Sequence, residues 1–70
     1  MQYSYNKLWK LLIDKNMMKK DLMSKTGITS STIAKMGKNK AVSMDVIGKI
    51  CVALDCDICD VVEIIKETKK

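Results

Sequence analysis

Residues 19–38, K-K-D-L-M-S-K-T-G-I-T-S-S-T-I-A-K-M-G-K, leave the chain few ways to fold. One short helical pattern ends in Thr26-Gly27, and a second begins at once with Thr29-Ser30-Ser31. Gly27 has no Cβ, so it can take the left-handed conformation that stops a helix sharply. Thr29 can cap the following helix through its side-chain oxygen. Ile28, Ile33 and Met36 then face back toward Leu22. This is the spacing of two helices crossing steeply over a short turn, a helix-turn-helix unit, whose second helix can lie in the major groove of DNA.

The rest of the chain reads as more helix. Apolar residues at 5, 8, 9 and 12 recur at helical spacing, widened by Leu11 and Ile13, and predict a first helix over about 5–15 with Asn16 as a left-handed stop. The second is expected over about 19–25, with Asp21 favourable in its first turn, and the third over about 30–36, closed by Gly37. Ser43 caps a fourth at about 44–54, striped at 47, 50, 51 and 54. Asp57 and Asp60 favour a fifth start, and Ile58, Val61, Val62 and Ile65 give it a stripe over about 58–66, after which the tail is expected to fray. No strand alternation persists. The expected fold class is all-α, one compact five-helix domain across residues 1–70.

Seventy residues without Phe must build an aliphatic core. Trp9 is expected to anchor the first helix in it, and Met17 and Met18 to pack between the first two helices. A chain this short has a stability of about 3–5 kcal/mol.

The net charge of +5 is unevenly spread: residues 1–50 hold ten lysines and three aspartates, whereas residues 51–70 hold three lysines and five acids. The basic part coincides with the helix-turn-helix pattern, the electrostatic footprint of a nucleic-acid binder. No signal peptide is visible at Met1-Gln2-Tyr3-Ser4-Tyr5, and no apolar run approaches a membrane span. With three cysteines and no secretory signal, a reducing cytoplasm is expected. Catalysis is not expected: the chain has no histidine, no glycine-rich phosphate loop and no nucleophile beside a base.

Residues 20–38 followed by V-S-M-D-V-I-G-K-I-C-V-A-L-D-C-D-I-C-D-V-V at 42–62 resemble the Cro and lambda-repressor-type (Xre) regulators over about residues 6–65. The chain departs from that pattern in Met23, where a small alanine is frequent, and in Met18-Lys19, where a threonine cap and glutamine are frequent. The resemblance implies a short, stand-alone bacterial or phage-type regulator, a repressor that binds double-stranded DNA with its third helix in the major groove. Carried over by position, Thr29, Ser30, Ser31, Ala34 and Lys35 are expected to meet base edges. Lys19, Lys38, Asn39 and Lys40 are expected to meet phosphates. Lys35 suits guanine O6 and N7, and Ala34 a thymine methyl. The chain has no arginine, so the forked guanidinium contact is missing and specificity should be moderate.

A homodimer is expected, because one helix-turn-helix covers only a half-site. Ile64 looks surplus to burying one face of the fifth helix, so Val61, Ile64 and Ile65 form the expected dimer contact. A second reading is a small protein-interaction module, an antirepressor or antitoxin-like subunit, with the acidic C-terminal third carrying the function. Cys51, Cys56 and Cys59 lack the fourth ligand of a zinc site, and Cys51 reads as a small core residue. A redox role at Cys56 and Cys59 is the lesser reading, and no metal or cofactor is expected.

Overall fold

Four amphipathic helices meet on one apolar face each, and a strand pair closes the bundle. The structure, a computed structural model, describes residues 2–66. In chain order the elements are β1 (Gln2–Ser4), α1 (Asn6–Asp14), α2 (Lys19–Thr26), α3 (Ser30–Gly37), α4 (Met44–Leu54), a 3-10 turn (Ile58–Asp60) and β2 (Glu63–Ile65). The core gathers Leu8 and Leu12 of α1, Leu22 of α2, Ile28, Ile33 and Met36 of the second half of the helix-turn-helix, Ile47, Ile50 and Leu54 of α4, with Tyr5 and Val61. Burying these side chains is the main stabilising term. The tail at 67–70 lies outside the described residues.

Local chemistry sets each helix boundary. Asn16 takes the left-handed conformation (φ 58°) after α1, as its short polar side chain permits. Asp21 does more at α2 than favour the helix dipole: its carboxylate accepts the Met18 backbone N–H at 2.8 Å, the N3 half of a capping box. Ser43 caps α4 by accepting from the Val46 N–H, and Asp55 (φ 54°) ends it. Gly37 does not stop α3. It remains helical, and Asn39 (φ 59°) turns the chain.

The fifth helix does not form. Residues 58–60 make a single 3-10 turn, and Glu63–Ile65 run antiparallel to Gln2–Ser4 with Tyr3 opposite Ile64. The described fold is therefore mostly helical with four helices and a two-stranded sheet, not all-α with five. The Asp57–Asp60 start signal is real, since Asp60 accepts the Asp57 N–H at 3.2 Å. But Val61, Val62, Ile64 and Ile65 are β-branched and stiff at χ1, which favours extended chain, and β1 offers hydrogen-bond partners. Val61 still reaches the core from the turn and is fully buried.

Several residues also exchange roles. Tyr5 precedes α1 and is buried to 1% exposure, its hydroxyl donating to the Lys40 carbonyl at 2.7 Å. Trp9 is only half-buried, and Ile13 and Met18 are exposed. Among the described residues no helix is long and apolar enough to cross a membrane.

Two predictions follow from these contacts. A Cβ on Gly27 meets nothing within 4 Å, nor does one on Gly37, but only Gly27 has a positive φ, of 77°. Gly27→Ala should therefore destabilise by about 1–2 kcal/mol through backbone strain, while Gly37→Ala should stabilise by about 0.4–1 kcal/mol, both read by urea denaturation. Burial raises the Tyr5 pKa above its ordinary 10.0, with Tyr3 adding to the rise. The folded state thus favours the neutral phenol: its contribution to stability is intact below pH 10 and is lost as pH rises through the raised value. Tyr5→Phe should cost about 1 kcal/mol near neutral pH and lessen the fall in stability at alkaline pH.

Candidate nucleic-acid interface

The site starts from the elbow between α2 and α3. Gly27 at φ 77° ends α2, and its N–H donates to the Met23 carbonyl at 2.8 Å. Thr26 braces the same turn from both sides. Its hydroxyl donates to the Leu22 carbonyl at 2.7 Å and accepts the Ile28 N–H at 3.2 Å. The sequence reading missed this role, although a threonine beside a helix-ending glycine was the available signal. Ile28, Ile33, Met36 and Leu22 are all buried, so the two helices lock at a fixed angle.

That packing leaves the other side of α3 in water. Ser30, Ser31, Ala34 and Lys35 are all exposed. At about 100° per residue they occupy an arc of about 140°, opposite Ile33 and Met36. Lys38, Asn39 and Lys40 are exposed just beyond the helix. The Tyr5–Lys40 hydrogen bond ties this loop to the start of α1, so the lysines extend from anchored backbone. No carboxylate side chain occurs between Asp21 and Asp45, while Lys25, Lys35, Lys38 and Lys40 fall in that interval. The segment is thus cationic, and of its lysines Lys25 shares a depression with Asp45.

Thr29 is exposed, but its hydroxyl is already engaged. It accepts the Thr32 N–H at 3.4 Å and lies 3.1 Å from the Ser31 hydroxyl and 3.2 Å from that of Thr32. It holds the tip of α3 in shape, and Ser30 carries the hydroxyl without such a partner among these contacts. Lys19 lies apart from the group: its Nζ sits 4.5 Å from the centre of the Trp9 ring. A cation over an indole face is worth about 0.5–1 kcal/mol at exposed sites. The Asp21 carboxylate, which accepts the Met18 N–H, lies at the same end of α2.

Val61, Ile64 and Ile65 separate. Val61 is enclosed in the chain's own core, whereas Ile64 (53%) and Ile65 (46%) are exposed on β2. Cys51 and Cys56 are half-buried near the end of α4, and Cys59 is exposed. Burial first, then Cys51 and the nearby Asp60, push the Cys56 thiol up to about 11. It is a protonated, weak nucleophile at neutral pH. Among the described residues no three Cys, Asp or Glu side chains gather as a metal site.

The profile of the Cro/C1-type HTH DNA-binding domain matches residues 7–67. Among solved structures, the chain is similar to the crystal structure of the transcriptional regulator VanUg, form II, with 50% sequence identity and a TM-score of 0.89, over 94% of this chain and 88% of that one. No curated protein sequence matches it. A steep two-helix elbow, an outward cationic helix and a match across nearly its whole length agree: the chain belongs to the Cro/C1-type helix-turn-helix DNA-binding domain family.

Proposed function

We propose that this protein is a transcriptional repressor that binds a specific duplex site, with α3 in the major groove. The observation that carries the reading is the exposed, carboxylate-free arc of α3, backed by buried Ile33 and Met36. Ser30, Ser31, Ala34 and Lys35 read base edges, with Lys35 directed to guanine and Ala34 to a thymine methyl. Thr29 acts at the same end, as the cap that shapes the tip and as a near neighbour of the bases. Lys38, Asn39 and Lys40 grip one phosphate backbone, and Lys19 contributes charge near another from its place over Trp9. Repression follows from occupancy: a protein seated on an operator excludes other proteins from it. The role of the similar VanUg structure as a transcriptional regulator supports this assignment.

We further propose that two copies bind a partly palindromic site, paired through Ile64 and Ile65 on the open edge of β2. An unpaired strand edge with exposed isoleucines is suited to pairing with its own symmetry mate.

Selection from random duplexes, followed by salt titration, tests the reading. Lys35→Ala should cost about 1–3 kcal/mol on the selected duplex and relax preference at one position. Lys38→Ala or Lys40→Ala should weaken all duplexes alike and lower the salt slope by about one each. An enriched motif that Lys35→Ala leaves unchanged in both affinity and preference would remove α3 from the groove.

A further inference from the structure

The first strand lies against the loop that follows α3. Gln2 and Tyr3 of β1 share an open cleft of about 500 Å³ with Lys38, Asn39, Lys40 and Ala41. Gln2, Lys38, Asn39 and Lys40 are exposed, and Tyr3 is half-buried. No residue lining the cleft carries a carboxylate. One wall is thus the start of the chain, and the other is the loop between α3 and α4.

Both walls are held by contacts within the chain. β1 is paired with β2, Gln2 opposite Ile65 and Ser4 opposite Glu63. Tyr5 follows the strand directly, and its buried ring and its hydrogen bond to the Lys40 carbonyl tie strand to loop. The loop is also fastened to the end of α3. The Asn39 N–H donates to the Met36 carbonyl at 3.0 Å, and the Lys40 N–H to the Lys35 carbonyl at 2.9 Å. A guest therefore meets a cleft already shaped, and ordering its backbone costs little on binding.

The lining chemistry selects the guest. Lysine ammonium groups supply donors and positive charge, and the side-chain amides of Gln2 and Asn39 supply further donors. Donors and cations without a carboxylate suit an oxyanion. With α3 in a major groove, the oxyanion beside the loop that follows it is a phosphodiester of the duplex backbone.

We infer that β1 belongs to the DNA interface, with the Gln2 side-chain amide donating to the duplex phosphate that Lys38 and Lys40 flank. This rests on the proposed DNA-binding reading and adds to it a residue from the far end of the chain. Lysine attracts the phosphate over distance, whereas the uncharged amide of Gln2 acts only at contact. Its part is to fix where the backbone sits against the loop, and through that the register of α3 in the groove.

Titration of the whole chain with its selected duplex across a range of salt tests this. Gln2→Ala should weaken binding about threefold or more at every salt concentration. The salt slope should stay unchanged, because no charge is lost, in contrast to Lys38→Ala. Gln2→Lys should tighten binding and steepen the slope by about one, a gain that misfolding cannot mimic. Neutral methylphosphonate placed at each backbone position in turn should reveal one phosphate at which Gln2→Ala and Lys38→Ala both lose their effect. If Lys38→Ala weakens binding but Gln2→Ala and Gln2→Lys match the wild type, the inference falls and the α3 reading stands. Gln2 and Lys38 losing their effects at separate phosphates also overturns it. A wild type that binds no duplex overturns both.

Discussion

Gly27 is the position on which the site depends. A residue at φ 77° lets α2 stop within one turn of the start of α3, and the Thr26 hydroxyl ties the two ends of that turn together. With the connection so short, Leu22 must meet Ile28, Ile33 and Met36, because these are the apolar side chains the geometry brings together. The exposed side of α3 follows as the complement of its buried side. Orientation of the candidate recognition surface is thus a by-product of core packing, fixed before any partner is involved.

The helices were readable where periodicity and punctuation agreed. The expected 44–54 helix matches α4, because the Ser43 cap and the stripe of Ile47, Ile50, Cys51 and Leu54 point the same way. Residues 58–66 misled because a stripe at 58, 61, 62 and 65 fits either one turn followed by a strand or a continuous helix. Only a partner distant in sequence, β1, decides between them. Trp9, expected to anchor the first helix, lies shallower than Tyr5 of the same stripe for a related reason. Tyr5 gains a carbonyl acceptor at Lys40, a long-range partner with no local signature, whereas Trp9 covers the core edge beneath a lysine. At the candidate site, the family resemblance pointed to Thr29, Ser30, Ser31, Ala34 and Lys35, and all five side chains are exposed. It could not reveal that the Thr29 hydroxyl is held within the cap.

Charge and shape divide the molecule along the sequence. The interval free of carboxylates covers the elbow, α3 and the loop after it, while Asp55, Asp57, Asp60 and Glu63 gather beyond α4. All fixed positive charge rests on lysine, a hydrated point charge on a flexible stem. Such groups attract a polyanion over distance but impose little angular demand at contact. Discrimination among sequences then falls to the short side chains at the tip of α3 and to the rigidity of their support.

The ladder between residues 2–4 and 63–65 joins segments some sixty positions apart. Val61, which completes the core, arrives only with the segment that forms the second half of that ladder. A growing chain on the ribosome can therefore form helical turns early but cannot enclose its interior until its last described residues emerge. Loops this long close slowly compared with single helices. The consequence is a domain that matures as one unit, with its outward helix held at a working angle only once both distant segments have met.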